Sequence, residues 1–552
     1  MAFKITTGCV GCMICHKGCP QGAIYGNPKE IQTIDPNKCI ECGYCANVCN
    51  MGAVKDSKGH DLVQIPKKDW QKPIINRSVC VGCSVCVQNC PGNCLAIEDA
   101  KFHGDINTIA YMKEPKSCIG CKICRDVCPI GAITFADDLN GKNDKNNGKR
   151  RMTMGKAYAK VYQGVFSVGM GLMPWGVPKT LEGPGSVKKL PQLIKEQGYT
   201  KVLVVTDKVL YQDLHMLDGL LEEMPKAGVE YVVYDGVQPN PTDININEGL
   251  KLFKENKCQA MIAFGRGSPM DCAKGIGAVY VKNKPAKDLQ GLFRVLHKIP
   301  TIFAVPTTSG TGSETTIAAV ITEVATHHKA SINDLSLMPK FAVLDPELTK
   351  GLPGKVTSTT GMDALCHAVE CYTNNKYNSK LEKRYSEEAV KLIYDNLYEC
   401  YTNPGNLEAR MNMMTAAFKA GRAFTRGCVG YVHAIGHTLG GLYGTPHGLA
   451  MSVILPHVMR QFGPAAYERL ARLAEVCGHN EGTDAEKANW FIDWMEELKE
   501  KMSIPRTLDV VKPEDYDQII AWASKEANPL YPTPVYWEKA DFVKCLDTIS
   551  GK

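Results

Sequence analysis

Three histidines, His433, His437 and His447, fall within fifteen residues of the stretch YVHAIGHTLGGLYGTPHGL (431–449). Upstream, GMDALCHAVEC (361–371) adds Asp363 and His367. These two are spaced i, i+4, so on a helix they project from one face one turn apart. A carboxylate with imidazoles is a ligand set for a first-row divalent metal. Asp363, His367, His433 and His447 would supply four protein ligands and leave room for a substrate oxygen. Unrelated helical histidines are the plainer account, but three in so short a span beside Asp-x-x-x-His favour a metal site.

A second chemistry fills the N-terminal quarter, where 17 of the 25 cysteines precede residue 130. The runs are Cys9-x2-Cys12-x2-Cys15-x3-Cys19-Pro20 and Cys39-x2-Cys42-x2-Cys45-x3-Cys49. They continue with Cys80-x2-Cys83-x2-Cys86-x3-Cys90-Pro91 and Cys118-x2-Cys121-x2-Cys124-x3-Cys128-Pro129. Short tails repeat as well: PQGAI, NMGAV and PIGAI. The runs resemble those of bacterial two-cluster ferredoxins, in which the fourth cysteine of one run ligates the other cluster. The resemblance implies four [4Fe–4S] clusters: Cys9, Cys12, Cys15 and Cys49; Cys39, Cys42, Cys45 and Cys19; Cys80, Cys83, Cys86 and Cys128; Cys118, Cys121, Cys124 and Cys90. Asn50 departs from the proline pattern, and the tail PGNCLAI carries a spare Cys94, expected as a small buried thiol. Zinc ribbons use two separated C-x2-C pairs, which fits less well. Cys12-Met-Ile-Cys15-His16 matches a c-type haem signature, but Cys9 and Cys19 assign those cysteines to clusters.

GMDALCHAVE followed by HAIGHTLGGLYGTPHG resembles the iron-containing (group III) alcohol dehydrogenases, over about residues 174–552. The resemblance implies Asp363, His367, His433 and His447 as ligands of Fe2+ or Zn2+. It implies His437 in the catalytic cleft without being a ligand, and His437 is the candidate for the proton path. Phe424 is expected either to face the substrate or to serve as a core aromatic.

The elements that must position these groups follow from periodicity. Lys201–Val205, Tyr231–Tyr234, Ala260–Phe264, Thr301–Val305 and Phe341–Leu344 read as buried parallel strands of a doubly wound α/β domain. Ligands bind beyond the carboxyl ends of such strands. Asp207, after the first, would bond a ribose 2′-OH and favour NAD over NADP. Gly265, Gly267, Ser268 and Asp271 follow the third; there glycines let backbone N–H groups approach a pyrophosphate at a helix N-terminus. Thr307, Thr308 and Thr311 follow the fourth and suit the nicotinamide half. The family resemblance extends to these stretches, to Asn240 and to Lys329, and Arg266 stands where the family usually has Gly. After about residue 345 helical periodicity takes over.

The expected organisation is therefore multidomain. Two ferredoxin-like α+β modules (1–62 and 63–136) and a linker (137–173) precede a Rossmann-like NAD-binding α/β domain (174–345). An all-α metal-binding domain (346–552) closes the chain, a dehydroquinate-synthase-like pairing by the resemblance. Residues 137–156 have a linker composition. Val161–Pro178 lacks charge, but its four glycines and two prolines fall short of a spanning helix. It is expected to pack between modules and dehydrogenase, with an interfacial membrane role as the lesser reading.

Residues 1–160 carry 22 Lys+Arg against 14 Asp+Glu, a balance of +8; the chain totals +6, leaving –2 elsewhere. A four-thiolate [4Fe–4S] cluster carries about –2 when oxidised, so four would cancel the excess without a nucleic-acid partner. Clustered C-x-x-C without an apolar leader points to a reducing, cytoplasmic setting rather than disulfides. The expected activity is NAD(H)-linked interconversion of a small alcohol and its aldehyde at a metal, in a homo-oligomer (dimer or higher). Hydride transfer moves two electrons and each cluster one, and no flavin fingerprint is present. A flavin- or metal-containing partner protein is therefore the first-ranked reading for the clusters. Co-localisation with another activity and a structural or redox-sensing role follow. An electron carrier whose dehydrogenase-like half is a docking scaffold is the alternative of a different class.

Overall fold

The structure, a computed structural model, describes residues 2–57, 59–62, 64–77, 80, 82, 84–98, 109–128, 132–135, 145–324, 328–374 and 376–552, with the backbone alone at 126, 145–157, 172, 328 and 329. Cys83, Pro129 and the Lys329 side chain lie outside what is described. The chain divides into two compact units, Met1–Met154 and Gly155–Lys552.

The N-terminal unit repeats one plan twice. A strand ahead of the first run pairs antiparallel with one behind the second: Lys4–Ile5 with Val54–Lys55, and Ile74–Ile75 with Ile133–Thr134. The tail of each first run forms a second ladder, Ile24–Tyr25 with Thr33–Ile34 and Leu95–Ile97 with Ala110–Met112. A helix of one turn or little more carries the third cysteine of each run, at Ile14–Gly18, Tyr44–Asn47, Val85–Gln88 and Ile123–Asp126. Elements this short cannot bury a core. The centre of each module is accordingly lined by cysteines and a few aliphatic residues.

The second unit holds a six-stranded, all-parallel sheet of β1 (Lys179–Glu182), β2 (Lys201–Val205), β3 (Glu230–Tyr234), β4 (Ala260–Gly265), β5 (Thr301–Pro306) and β6 (Phe341–Leu344). Its order is β3-β2-β4-β5-β6-β1. Successive residues feed two cores, as the period of two requires. Leu203, Val205, Met261, Ala263, Ile302 and Ala304 face one side; Val202, Val204, Ile262, Phe264, Phe303 and Val305 face the other. The sequence reading finds five of these strands. Edge strand β1, KTLE, has no apolar run to betray it, because an edge strand has a partner on one side only.

Residues 137–144 of the linker expected at 137–173 lie outside the described residues, and the rest of it as far as Leu172 is helical. Residues Lys145–Leu172 form a single helix, α1. Its sequence has little intrinsic helical signal, and packing supports its stretch from Tyr158 to Phe166. Tyr158, Tyr162 and Phe166, four apart, lie in succession (ring centroids 6.2 and 5.8 Å), and Phe166 meets Tyr377 edge-on at 5.3 Å. Gln163 Nε2 donates to the carbonyls of Pro529 and Tyr531 at 3.0 and 3.1 Å. Among the described residues no helix is long and apolar enough to cross a membrane.

The rest is helical. Of use below are α2 (Gly267–Lys282), α3 (Gly354–Thr373), α4 (Leu407–Gly427), α5 (Tyr431–Tyr443), α6 (His447–Phe462) and α7 (Tyr516–Ala527). Helix α3 is buried on every side from Gly361 to Thr373, so its polar groups must find partners inside the protein.

Candidate active site and cluster sites

Helix α3 presents Asp363, Cys366, His367 and Glu370 at i, i+3, i+4 and i+7, one continuous face. Opposite stand His433 and His437 of α5 and His447, the first residue of α6. Donor atoms of Asp363, His433 and His447 all lie within 4.8 Å of one another. His447 Nε2 is 3.4 Å and His433 Nε2 3.9 Å from Asp363 Oδ1. His367 is adjacent to this set rather than within it. Its ring stacks between those of His433 (4.6 Å) and Phe424 (4.2 Å), so Phe424 packs on an imidazole here.

Asp363 Oδ1, His433 Nε2 and His367 Nδ1 are buried without a hydrogen-bond partner. Such orphaned groups are costly unless something satisfies them. A divalent cation fits this donor set: one carboxylate oxygen and imidazole nitrogens, all converging. Burial drives His367 down to about 3 and His433 well below its ordinary value, so both rings are neutral near pH 7 and have a lone pair to give. Burial opposes ionisation of Asp363, but the facing imidazoles, His367 foremost, outweigh it and hold the carboxyl below its usual range.

Two carboxylates that the sequence reading leaves out complete the site. Glu370 Oε2 lies 2.5 Å from His433 Nδ1, while its Oε1 accepts the Val432 N–H at 2.8 Å. With Nδ1–H donated to Glu370, His433 Nε2 keeps its lone pair toward Asp363. The signal was in the sequence: Glu370 lies seven residues beyond Asp363, on the same helical face. Glu526 of α7 lies 2.8 Å from His437 Nδ1 and accepts Tyr531 Oη–H at 3.0 Å. Burial opposes its charge, but His437 outweighs that and holds the carboxyl below its ordinary value. No local pattern marks Glu526, which sits 89 residues from its partner. His437 itself lies with its ring centroid 5.7 Å from His433 and 5.3 Å from His447.

The expected nucleotide residues gather at the carboxyl ends of the strands. Asp207 follows β2 and its Oδ1 accepts the Leu210 N–H at 3.0 Å. Gly265 ends β4 at φ 143, and a Cβ there would meet Pro269 Cγ at 2.8 Å, so only glycine serves. Arg266 is extended, a conformation open to any residue, which is why glycine is dispensable there. Gly267 and Ser268 open α2. A Cβ on Gly267 would meet Thr311 at 3.2 Å, so the two glycine-rich turns adjoin. Thr307 and Thr308 are buried, with Thr307 Oγ1 lacking a partner. Asp271 faces inward: it accepts Ser313 Oγ–H at 2.8 Å and the Val320 N–H at 3.1 Å, holding the second turn to α2. Asn240, at φ 60, precedes the Asp243–Glu255 helix on the surface. A Cβ on Gly310 would strike Thr360 at 2.7 Å and one on Gly312 would strike Gly421 at 2.8 Å. The second turn therefore lies directly against α3 and α4, next to the Asp363 face.

In the N-terminal unit two cavities coincide with cysteine sets. One is lined by Cys19, Cys39, Cys42 and Cys45, the other by Cys90, Cys118, Cys121 and Cys124 with Cys94. Each set combines three cysteines of one run with the fourth of another. The fourth cysteine of every run accepts an N–H from the residue four on: Ala23 to Cys19, Ala53 to Cys49, Cys94 to Cys90, Ala132 to Cys128, at 3.2–3.4 Å. Residues on both sides of each second cysteine have positive φ, as at Gly11 and Met13 or Gly120 and Lys122, which turns backbone N–H groups inward. Converging thiols with amide donors fit an anionic iron–sulfur cluster. Cys94, buried as expected, lies 3.3 Å from Cys90 Sγ.

Comparison with known proteins agrees with this division. Residues 178–346 match the family model "iron-containing alcohol dehydrogenase" and 357–549 the model for the C-terminal part of that family. The "4Fe-4S dicluster domain" models match 8–53 and 79–132, and 38–95. The 1,3-propanediol dehydrogenase of Citrobacter freundii is 38% identical over 353 residues, covering 63% of this chain and 90% of that protein. The alcohol dehydrogenase from Oenococcus oeni superposes with a TM-score of 0.66 at 35% identity, over 68% of this chain and 99% of that one. The sulfoacetaldehyde reductase from Bifidobacterium kashiwanohense, solved with NAD+, gives 0.62 at 26% identity, over 69% and 99%.

Proposed function

The chain belongs to the iron-containing alcohol dehydrogenase family, and from that premise we propose that its C-terminal unit interconverts a small alcohol and its aldehyde with NAD(H), while its N-terminal unit carries four [4Fe–4S] clusters. The observation that carries the first half is the buried set of Asp363 Oδ1 and His433 Nε2, both without partners, facing His447 Nε2. When bound there, Fe2+ or Zn2+ would supply Lewis acidity to the alcohol oxygen, and NAD would supply the hydride acceptor.

The chain's own residues do the remainder. Asp363, His433 and His447, with His367 beside them, hold the metal, and Glu370 keeps His433 in the tautomer that can bind it. Gly265, Gly267 and Ser268 let the backbone approach the pyrophosphate, and Thr307, Thr308 and Thr311 line the nicotinamide side. Asp207 bonds the adenosine ribose. Asn240 and Lys329 belong to the same cleft by family resemblance. His437, with Nδ1 held by Glu526, receives the alcohol proton on Nε2 and passes it toward solvent. The active form is a homo-oligomer. The clusters exchange electrons singly with a flavin- or metal-containing partner protein, not with NADH at the dehydrogenase site.

The test is anaerobic preparation with iron and sulfide analysis and an alcohol and aldehyde panel followed at NADH absorbance. About sixteen irons in clusters, beyond the catalytic metal, are expected from four sites of four. His447→Ala should lose the catalytic metal and alcohol oxidation together and leave cluster absorbance intact. If His447→Ala, His433→Ala and Asp363→Ala all retained turnover, the dehydrogenase reading would fall and the docking-scaffold alternative would replace it.

A further inference from the structure

Resting on the four-cluster reading, we infer that Trp70 and the residues after it clamp the second cluster site of module one against the fourth site in module two, giving one electron path in the order one, two, four, three. Site numbers follow the four cysteine sets as first given.

Among the described residues, the segment around Trp70 touches both modules. Trp70 is 9% exposed, the only tryptophan of this unit, and its indole N–H donates to the Ile65 carbonyl at 2.8 Å, folding 65–70 into a compact strap. On one side its ring meets Tyr44 edge-on, centroids 6.0 Å apart. Tyr44 opens the helical turn that carries Cys45 and lies two residues from Cys42. On the other side, a Cβ at Gly120 would touch Trp70 Cβ and the Gln71 carbonyl, each at 3.4 Å. Gly120 precedes Cys121. Next along, Lys72 Nζ donates to the Cys118 carbonyl at 2.7 Å. The strap therefore touches the Cys42–Cys45 loop with one edge and the Cys118–Cys121 loop with the other.

Tyr44 and Cys42 line the cavity at the second site, and Pro73, Cys118 and Cys121 line that at the fourth. Within each module, crossed ligation already makes sites one and two, and three and four, neighbours. Adding the two–four contact turns two separate pairs into a line with sites one and three at its ends. Electron tunnelling falls steeply with separation, so neighbouring sites exchange fastest. A hop across the junction oxidises one site by one electron and reduces the other by one, with no bond changed.

The experiment is electron paramagnetic resonance of the full chain, prepared anaerobically and reduced with dithionite. In Cys12→Ala/Cys80→Ala, sites one and three are disabled, and about eight irons should remain at two and four. A spin-coupled, broadened spectrum is expected from this variant, whereas two independent uncoupled signals would overturn the inference. Because removing ligands can cost the fold, a second variant leaves all of them in place. Trp70→Gly should keep about sixteen irons and lose the coupling assigned to the junction, and undiminished coupling there would equally overturn it. Fewer than four clusters in the unaltered protein would instead defeat the four-cluster reading, a separate result read from iron and sulfide before any spectrum.

Discussion

Replacing Glu370 by Gln should weaken the catalytic metal site without touching a ligand. The carboxylate is buried, with Oε2 2.5 Å from His433 Nδ1 and Oε1 on the Val432 N–H at 2.8 Å. An amide cannot serve both donors. If its oxygen takes Val432, its NH2 faces Nδ1, which must then accept, and the ring proton moves to Nε2 toward Asp363. If its oxygen takes Nδ1–H, NH2 confronts the Val432 N–H. The first orientation turns the metal-facing lone pair into an N–H, the second leaves one buried donor unsatisfied at about 1–3 kcal/mol, and in both a charge-assisted bond of ~1.5–3 kcal/mol is lost. Expressed through metal affinity this is roughly 10- to 100-fold, the usual scale for an outer partner of a metal-bound histidine. The assay is equilibrium metal binding to apoprotein by competition with a chelator. It is run at pH 8, because burial pushes Glu370 up to about 7 and the carboxylate form is the one at issue. His433→Ala, which lacks the ligand, sets the lower limit, and far-UV circular dichroism checks the fold. Wild-type affinity in Glu370→Gln would refute the tautomer argument.

Two further outcomes follow from the same geometry. His437→Ala should retain metal and lose rate by ~10²–10⁴-fold, as removal of a general acid–base group does, and Glu526→Gln should lower the rate in the same direction; loss of metal in His437→Ala would exchange the roles of His437 and His433. The protein should prefer NADH to NADPH, and Asp207→Gly should narrow that preference in kcat/KM; a native preference for NADPH would show that Asp207 does not face the adenosine ribose.

What can be read from sequence here depends on the range over which each signal is written. The cysteine runs, the Asp-x-x-x-His pair and the strands β2 to β6 are local patterns whose chemistry or burial demands particular residues at fixed spacing. Crossed ligation rests on the repeat itself; Cys19 lines one cavity with Cys39, Cys42 and Cys45, and Cys90 lines another with Cys118, Cys121 and Cys124. Glu370 shares the face of Asp363 and His367 in the sequence but looks like any helical glutamate until His433 is brought against it.

Other features were settled only by the tertiary structure. Helix α1 has weak intrinsic helicity and exists through Tyr377, Pro529 and Tyr531, more than two hundred residues away. Strand β1 is recognisable by its register with β6 and not by its composition. Glu526 becomes the partner of His437 because α7 packs across α5, and Asp271 turns inward to Ser313 and Val320. The junction between the cluster modules depends on where Trp70 lands between Tyr44 and Gly120. The sequence by itself therefore determined which groups are candidates for iron, metal and nucleotide, since each of those patterns is written within a turn or a loop. The fold decided which carboxylate backs which histidine and what Trp70 packs between, since those contacts join residues whose spacing along the chain carries no periodic signal.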